Sequence, residues 1–320
     1  MRILLLAVAP LLALSARAGE PGAACAAVVH PEIFGPAVIS GPEHEAAPAF
    51  APDGKTVWFN RSDGAHSTIL VSRLEAGHWS TPGVAPFSGR WSDMEPAMSP
   101  DGRFLVFVSN RAADGAGPPL DGRFMGRSFP GGGGQLWRVD RTDAGWSAPT
   151  RLPDAINADS STFAPSVAAD GSLWFMHPVD DGRRFRLFRA AWRDGRFEAP
   201  APLPFSDGST NDVDPAVAPD GSFVVFGSSR APACGMDLFI SFRQGSSWSA
   251  PRHLGDVVNS PGSDAEARLS PDARTLYFSS ERRSPAAADQ GAGWNNGKYN
   301  IWSVPLGSCL RAAGSPRAAG

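Results

Sequence analysis

The chain has 320 residues, 42% of them hydrophobic and 19% charged, which is enough apolar material for a large core. Its net charge is -3, with no basic excess, so nucleic acid is excluded as a partner because phosphate binding needs clustered Lys and Arg. Gly (35) and Pro (30) are abundant without a collagen period, a composition that suits many short strands and turns.

The N-terminus reads as a secretory signal over residues 1–18. Arg2 is followed by a short apolar run from Ile3 to Leu14, then by Ala16-Arg17-Ala18 with small residues at the cleavage positions. The run is too short for the roughly 20 residues of a membrane span. No later segment is long and apolar enough to cross either, so a periplasmic or secreted protein without a membrane span is expected. Residues 19–31 form a lead, 32–310 the folded domain, and 311–320 a disordered tail.

One pattern then returns five times. Pro48 to Gly54 precedes Val57-Trp58-Phe59, and Pro96 to Gly102 precedes Leu105-Val106-Phe107. Pro165 to Gly171 precedes Leu173-Trp174-Phe175, Pro215 to Gly221 precedes Val224-Val225-Phe226, and Ala267 to Ala273 precedes Leu276-Tyr277-Phe278. The turn aspartates, at 53, 101, 170, 220 and 272, lie 48, 69, 50 and 52 residues apart. Pro-Asp-Gly suits a tight hairpin, with Asp bonding back to the backbone and Gly taking the left-handed position. Ala273 replaces that Gly in the last repeat and predicts strain or another turn shape. The strand after the turn is apolar on consecutive residues, the mark of burial on both faces.

Two further strands complete each unit. The third reads Ile69-Leu70-Val71, Leu136 to Val139, Leu187-Phe188-Arg189, Leu238-Phe239-Ile240 and Ile301 to Val304. The fourth carries an aromatic and then Pro: Trp79 to Pro82, Trp146 to Pro149, Phe197 to Pro200 and Trp248 to Pro251. The fifth unit lacks this piece, and Ile33-Phe34-Gly35-Pro36 at the other end of the chain supplies it. The sequence therefore predicts an all-β fold: a five-bladed β-propeller of four-stranded antiparallel blades, with its ring closed by the N-terminal strand. Six blades, the extra one drawn from residues 112–134, is the alternative.

The motif Pro-x-x-Ser/Ala-Pro-Asp-Gly…Phe-x-Ser-x-Arg resembles the WD40-like (PD40) propeller repeat of the TolB C-terminal domain and of many exported bacterial proteins. The resemblance covers nearly the whole mature chain. It implies the fold and leaves the function open, since such propellers host many roles. Nothing here matches the α/β domain that precedes the propeller in TolB, so that protein's partner is not carried over.

Three cysteines lie in a chain expected in an oxidising compartment. Cys25 precedes the N-terminal strand and Cys309 follows the last, so closure of the ring predicts a Cys25–Cys309 disulfide. Three free thiols are the alternative, and Cys234 is left over either way.

The chemistry concentrates just before each innermost strand. Three residues before the opening Pro (Ala267 in the fifth unit) stand Glu45, Asp93, Thr162, Asp212 and Asp264, and one residue before it stand Ala47, Glu95, Ala164, Asp214 and Glu266. Blade geometry puts both sets at one mouth of the central channel, and a spacing of two lets both side chains of a pair point the same way. Arg111, Arg230 and Arg282 end the second strands on that face. One reading pairs these acids and arginines to fix the blade junctions. The other notes seven carboxylates against three arginines and seats a polar ligand or Ca²⁺ at the mouth. Trp294, beside Asn295, Asn296 and Lys298 in the loop 283–298, adds an aromatic suited to sugar or peptide.

The expected function is a non-catalytic, monomeric binding or scaffold module of the cell envelope. Its partner is an envelope protein or a polar small molecule or glycan. The alternative is a glycoside hydrolase with its carboxylates in the central pocket.

Overall fold

The computed structural model describes residues 29–180, 182–233, 235–283 and 298–307. Five antiparallel sheets stand around a central axis as a five-bladed β-propeller. The innermost strands are His44–Phe50, Asp93–Met98, Phe163–Val167, Asp212–Val217 and Asp264–Leu269. The second strands are Thr56–Ser62, Phe104–Ser109, Leu173–Val179, Phe223–Ser228 and Thr275–Ser280. Ser67–Glu75, Gln135–Thr142, Arg184–Ala190, Asp237–Gln244 and Asn300–Pro305 follow as third strands.

One phenylalanine per second strand fills the core of each blade. Phe59, Phe107, Phe175, Phe226 and Phe278 occupy the same repeat position and are fully buried. Burial of a phenylalanine side chain contributes about 1.5–3 kcal/mol, so the repeated position anchors all five sheets.

The outermost strand is broken by its proline. In the first blade His78–Trp79 folds back on the end of the third strand, and Gly83–Val84, after Pro82, pairs with its start (Leu70 opposite Val84). Blades two and four repeat this split, and in blade three the first piece is a separate hairpin, Trp192–Arg193 with Arg196–Phe197. The N-terminal strand does close the ring: Glu32 lies opposite Ser303 and Ile33 opposite Trp302. Its alignment differs from the sequence expectation. Ile33 matches Val84, so the proline equivalent to Pro82 is Pro31, not Pro36. Phe34 instead packs edge-on against Phe50, Trp79 and Tyr277, at ring-centroid distances of 5.6, 5.6 and 5.1 Å, and ties blade five to blade one.

Residues 112–134 form no sixth blade. They lie within blade two, between its second and third strands, and carry a small hairpin, Gly122–Phe124 with Arg127–Phe129. Phe124 stacks on Phe129 at 4.2 Å and meets Phe163 and Phe185 of blade three. The insertion thus lies against the neighbouring blade.

The five Asp turns share one shape. Asp53, Asp101, Asp170, Asp220 and Asp272 each accept a hydrogen bond from the amide two residues on, at 2.9–3.1 Å. The left-handed position after them is Gly in four turns and Ala273, with φ 53°, in the fifth. Ala273 keeps the shape at the cost of its Cβ contact with the backbone. Ala273→Gly is expected to stabilise the protein by about 1 kcal/mol, read as a higher urea midpoint at unchanged slope.

Candidate functional site

Each innermost strand bends before its proline. Ala47, Glu95, Ala164, Asp214 and Glu266 all take left-handed φ values of 50–54°, and the pairing register shifts across each of them. This bulge overturns the expectation that both acids of a pair point the same way. The acid three before the proline turns into its own blade, while the residue one before it faces the other blades across the channel.

The first set is consumed by arginines. Arg111 donates through Nη2 to Asp93 (2.7 Å) and through Nε to Ser109 (2.8 Å), and Nη2 also reaches the Phe87 carbonyl (3.2 Å). Its guanidinium lies over Phe107 and Trp137. Arg230 repeats this with Asp212 (2.6 Å), Ser228 (2.8 Å) and the Phe205 carbonyl (3.3 Å). Arg282 does so with Asp264 (2.7 Å), Ser280 (3.0 Å) and the Val258 carbonyl. Blade one substitutes Glu45, which accepts from Arg61 Nε (2.9 Å), the Gly41 amide (2.9 Å) and Asn300 (3.0 Å). Burial still holds the Glu45 carboxyl above its ordinary range, against the pull of those donors. In blade three Thr162 Oγ1 lies 3.3 Å from His177 Nδ1, and His177 Nε2 lies 3.6 Å from Asp159.

These pairs are structural. The side chains of Asp93, Asp212 and Asp264 have no exposed surface. Removing one partner leaves a buried charge uncompensated. Arg230→Met is therefore expected to cost about 3–5 kcal/mol in chemical denaturation, and adding Asp212→Asn should restore much of it.

The second set forms an inner ring. Glu95 accepts the Ala164 amide of the next blade (2.5 Å), and Asp214 accepts the Glu266 amide of the next blade (3.0 Å). Asn60 Oδ1 accepts the Glu95 amide (3.1 Å), and Ser279 donates to Glu266 (2.7 Å). Glu95 and Asp214 are buried, and Glu266 is partly exposed. Burial raises the Tyr299 hydroxyl, and the charges of Glu266, Glu281 and Asp214 lie near enough to add to the rise.

Arg268 is the cation of this ring. It holds the position that is Ala49, Ala97, Ser166 and Ala216 in the other blades. It is 5% exposed, its Nη1 donates to the Ala267 carbonyl (2.8 Å), and its Nε and Nη2 have no hydrogen-bond partner among the described residues. Burial pushes the Glu95 carboxyl up to about 8, helped by the charges of Asp214 and Glu266 and opposed by Arg268. Burial and then Asp214 push Glu266 up to about 7. Burial raises Asp214 as well, against Arg268 and the Glu266 amide.

The folded state therefore holds these protons more tightly than the unfolded chain, where a Glu titrates near 4.5. The ring's contribution to stability is fully present below that value and is lost as pH rises toward 8. Glu95→Gln keeps an oxygen for the Ala164 amide and removes the titration. Its melting temperature is expected to exceed that of wild type at pH 8.5, with the difference vanishing near pH 5.

Of the residues named from sequence, Glu45, Asp93, Asp212, Asp264, Arg111, Arg230 and Arg282 are brought together as pairs inside blades. Glu95, Asp214 and Glu266 meet at the axis. Trp294, Cys25 and Cys309 lie outside the described residues. Among the described residues no three His, Cys, Asp or Glu side chains are placed to hold a metal ion, and no helix is long and apolar enough to cross a membrane. Sequence reasoning missed Arg61, which comes two residues earlier in its strand than the other arginines. It also missed Arg268, whose signal was an arginine at a repeat position otherwise held by Ala or Ser.

No protein-family model matches the chain. No curated protein matches it either. Among solved structures, a putative TolB from Agrobacterium tumefaciens is similar at 20% identity, over 74% of this chain and 70% of that one, with a TM-score of 0.48. TolB from Acinetobacter baumannii is similar at 16% identity with the same TM-score, over 82% of this chain and 54% of that one, so this chain spans about half of its length. A thermostable family-43 glycoside hydrolase is similar at 9% identity over 84% of this chain and 91% of that one, with a TM-score of 0.53. At such identities the likeness is one of fold.

Proposed function

We propose that this chain is an exported, non-catalytic binding propeller that engages a polar partner at the acid-bearing mouth of its channel. The observation that carries this reading is the division of the acids. Four are matched one to one by arginines inside the blades. Among the described residues, Glu95, Asp214 and Glu266 share the axis with Arg268 as their one cation. Tyr299 stands within electrostatic reach of both the partly exposed Glu266 and Glu281. This excess of acid over base suits a partner that offers a basic group, such as a Lys or Arg side chain of an envelope protein. A cation entering there would draw the raised carboxyls back toward their charged forms.

A glycoside hydrolase is the second reading. Carboxylates of raised pKa on separate blades are a general acid's environment, and the family-43 hydrolase supplies a likeness of fold. Two features weigh against a catalytic role for Glu95 and Asp214. Glu95 and Asp214 each hold a backbone amide of the next blade, and both are withdrawn from solvent.

The two readings part in one experiment. Wild type and the Glu95→Gln/Glu266→Gln double variant are compared on an envelope-extract pull-down and on a panel of aryl-glycosides. Binding predicts a captured protein whose affinity falls with salt and falls in the double variant, with no turnover. Turnover by wild type that disappears in the variant would replace this reading by the hydrolase.

A further inference from the structure

The channel has a second end, where the innermost strands run into the Asp turns. A cavity of about 80 Å³ opens there, lined by residues of all five blades. Its wall is polar and apolar in about equal measure, with Pro48, Pro165, Val217 and Leu269 on the apolar side, and Arg268 is its one charged lining residue among the described residues. The acids described above belong to the opposite end.

Arg268 is not satisfied by the protein. Its Nε and Nη2, the two nitrogens without a partner, form the side-on edge of the guanidinium, with two parallel N–H groups. The same edge does defined work elsewhere in this chain. In Arg111, Arg230 and Arg282 it grips a serine hydroxyl and a carboxylate. An unpaired donor edge on a buried charge is costly, and a carboxylate oxygen pair is its natural complement. Both nitrogens are shielded from bulk solvent. Binding at that edge requires the long side chain to turn about its own bonds toward the cavity that Arg268 already lines.

We propose that this cavity binds a small monocarboxylate, whose oxygens take the Nε–Nη2 edge of Arg268 and whose short apolar stem lies against the prolines, Val217 and Leu269. The size admits only a few heavy atoms. The single cation favours a monoanion over a phosphate, whose second charge would find no further base in the lining. Burial holds Glu95 and Glu266 toward their neutral forms, up to about 8 and about 7, which lessens the negative charge around the guanidinium at neutral pH.

The test is a thermal-shift titration of the whole protein with sodium propionate, with sodium chloride and propionamide as controls at matched concentration. Propionate should raise the melting temperature saturably and the controls should not. Arg268→Lys, which keeps the charge and loses the two-pronged edge, should weaken the apparent affinity about tenfold. Arg268→Met should abolish the shift, as should Ala97→Leu, which fills the cavity and leaves Arg268 in place. Absence of a saturable propionate shift at tens of millimolar overturns the proposal, as does an undiminished shift in Arg268→Met or Ala97→Leu, or an equal shift with chloride. Should the variants not fold, the Arg268 Nε resonance of wild type gives the answer. Movement on adding propionate supports the site, and a fixed resonance overturns it.

Discussion

The left-handed residue before each opening proline governs the rest of this molecule. A non-glycine residue in that conformation costs energy, about 1–3 kcal/mol each, and here the cost recurs in all five blades. What the chain gains is a separation. Without the bulge, residues two apart would share one face of the strand. With it, one side chain turns into the blade and the other faces the axis, and the freed amide is offered to a neighbour. Asn60, Glu95 and Asp214 each take such an amide from the following blade. The bulge thereby serves both as the joint between blades and as the mount for the axial ring.

The two sets of acids live under different electrostatics. Those inside the blades meet a guanidinium at close range, and in blades two, four and five that guanidinium is also held by a serine hydroxyl and lies over aromatic faces. Those at the axis meet one another. Three carboxyls, two of them withdrawn from water, cannot all stay ionised around a single arginine, and the proton is the least expensive counter-charge. The same residue types, two positions apart in sequence, thus serve opposite ends: one set locks sheets and the other stores protons near neutrality.

Much of this was legible in the sequence, because five copies agree. The Pro-Asp-Gly turn, the doubly buried strand and its phenylalanine gave the blade, and the missing outer strand gave the closure. The closure was misaligned by five residues because an aromatic-proline signature occurs at Phe34-Pro36 while the operative proline is Pro31. The aromatic there serves the seam between blades instead. The splitting of the acids was not legible. The bulge is written in no glycine, and Ala, Glu and Asp at φ near 50° look like ordinary strand residues. Arg268 was legible by comparison between repeats, as the one large residue in a column of Ala and Ser, but a search for acids does not look at that column.

The pairing of Ile33 with Trp302 has a consequence for how the molecule comes into being. The first strand of the ring to be made is the last to find its place, since its partner lies some 270 residues downstream in the chain. Contacts of such long separation close slowly and only after entropy has been lost elsewhere. Until then blade five presents the bare edge of its third strand, ready to accept any extended segment of suitable register. Closing the circle early in an intramolecular way is what separates a monomer from a chain of swapped partners, each lending its first strand to the next.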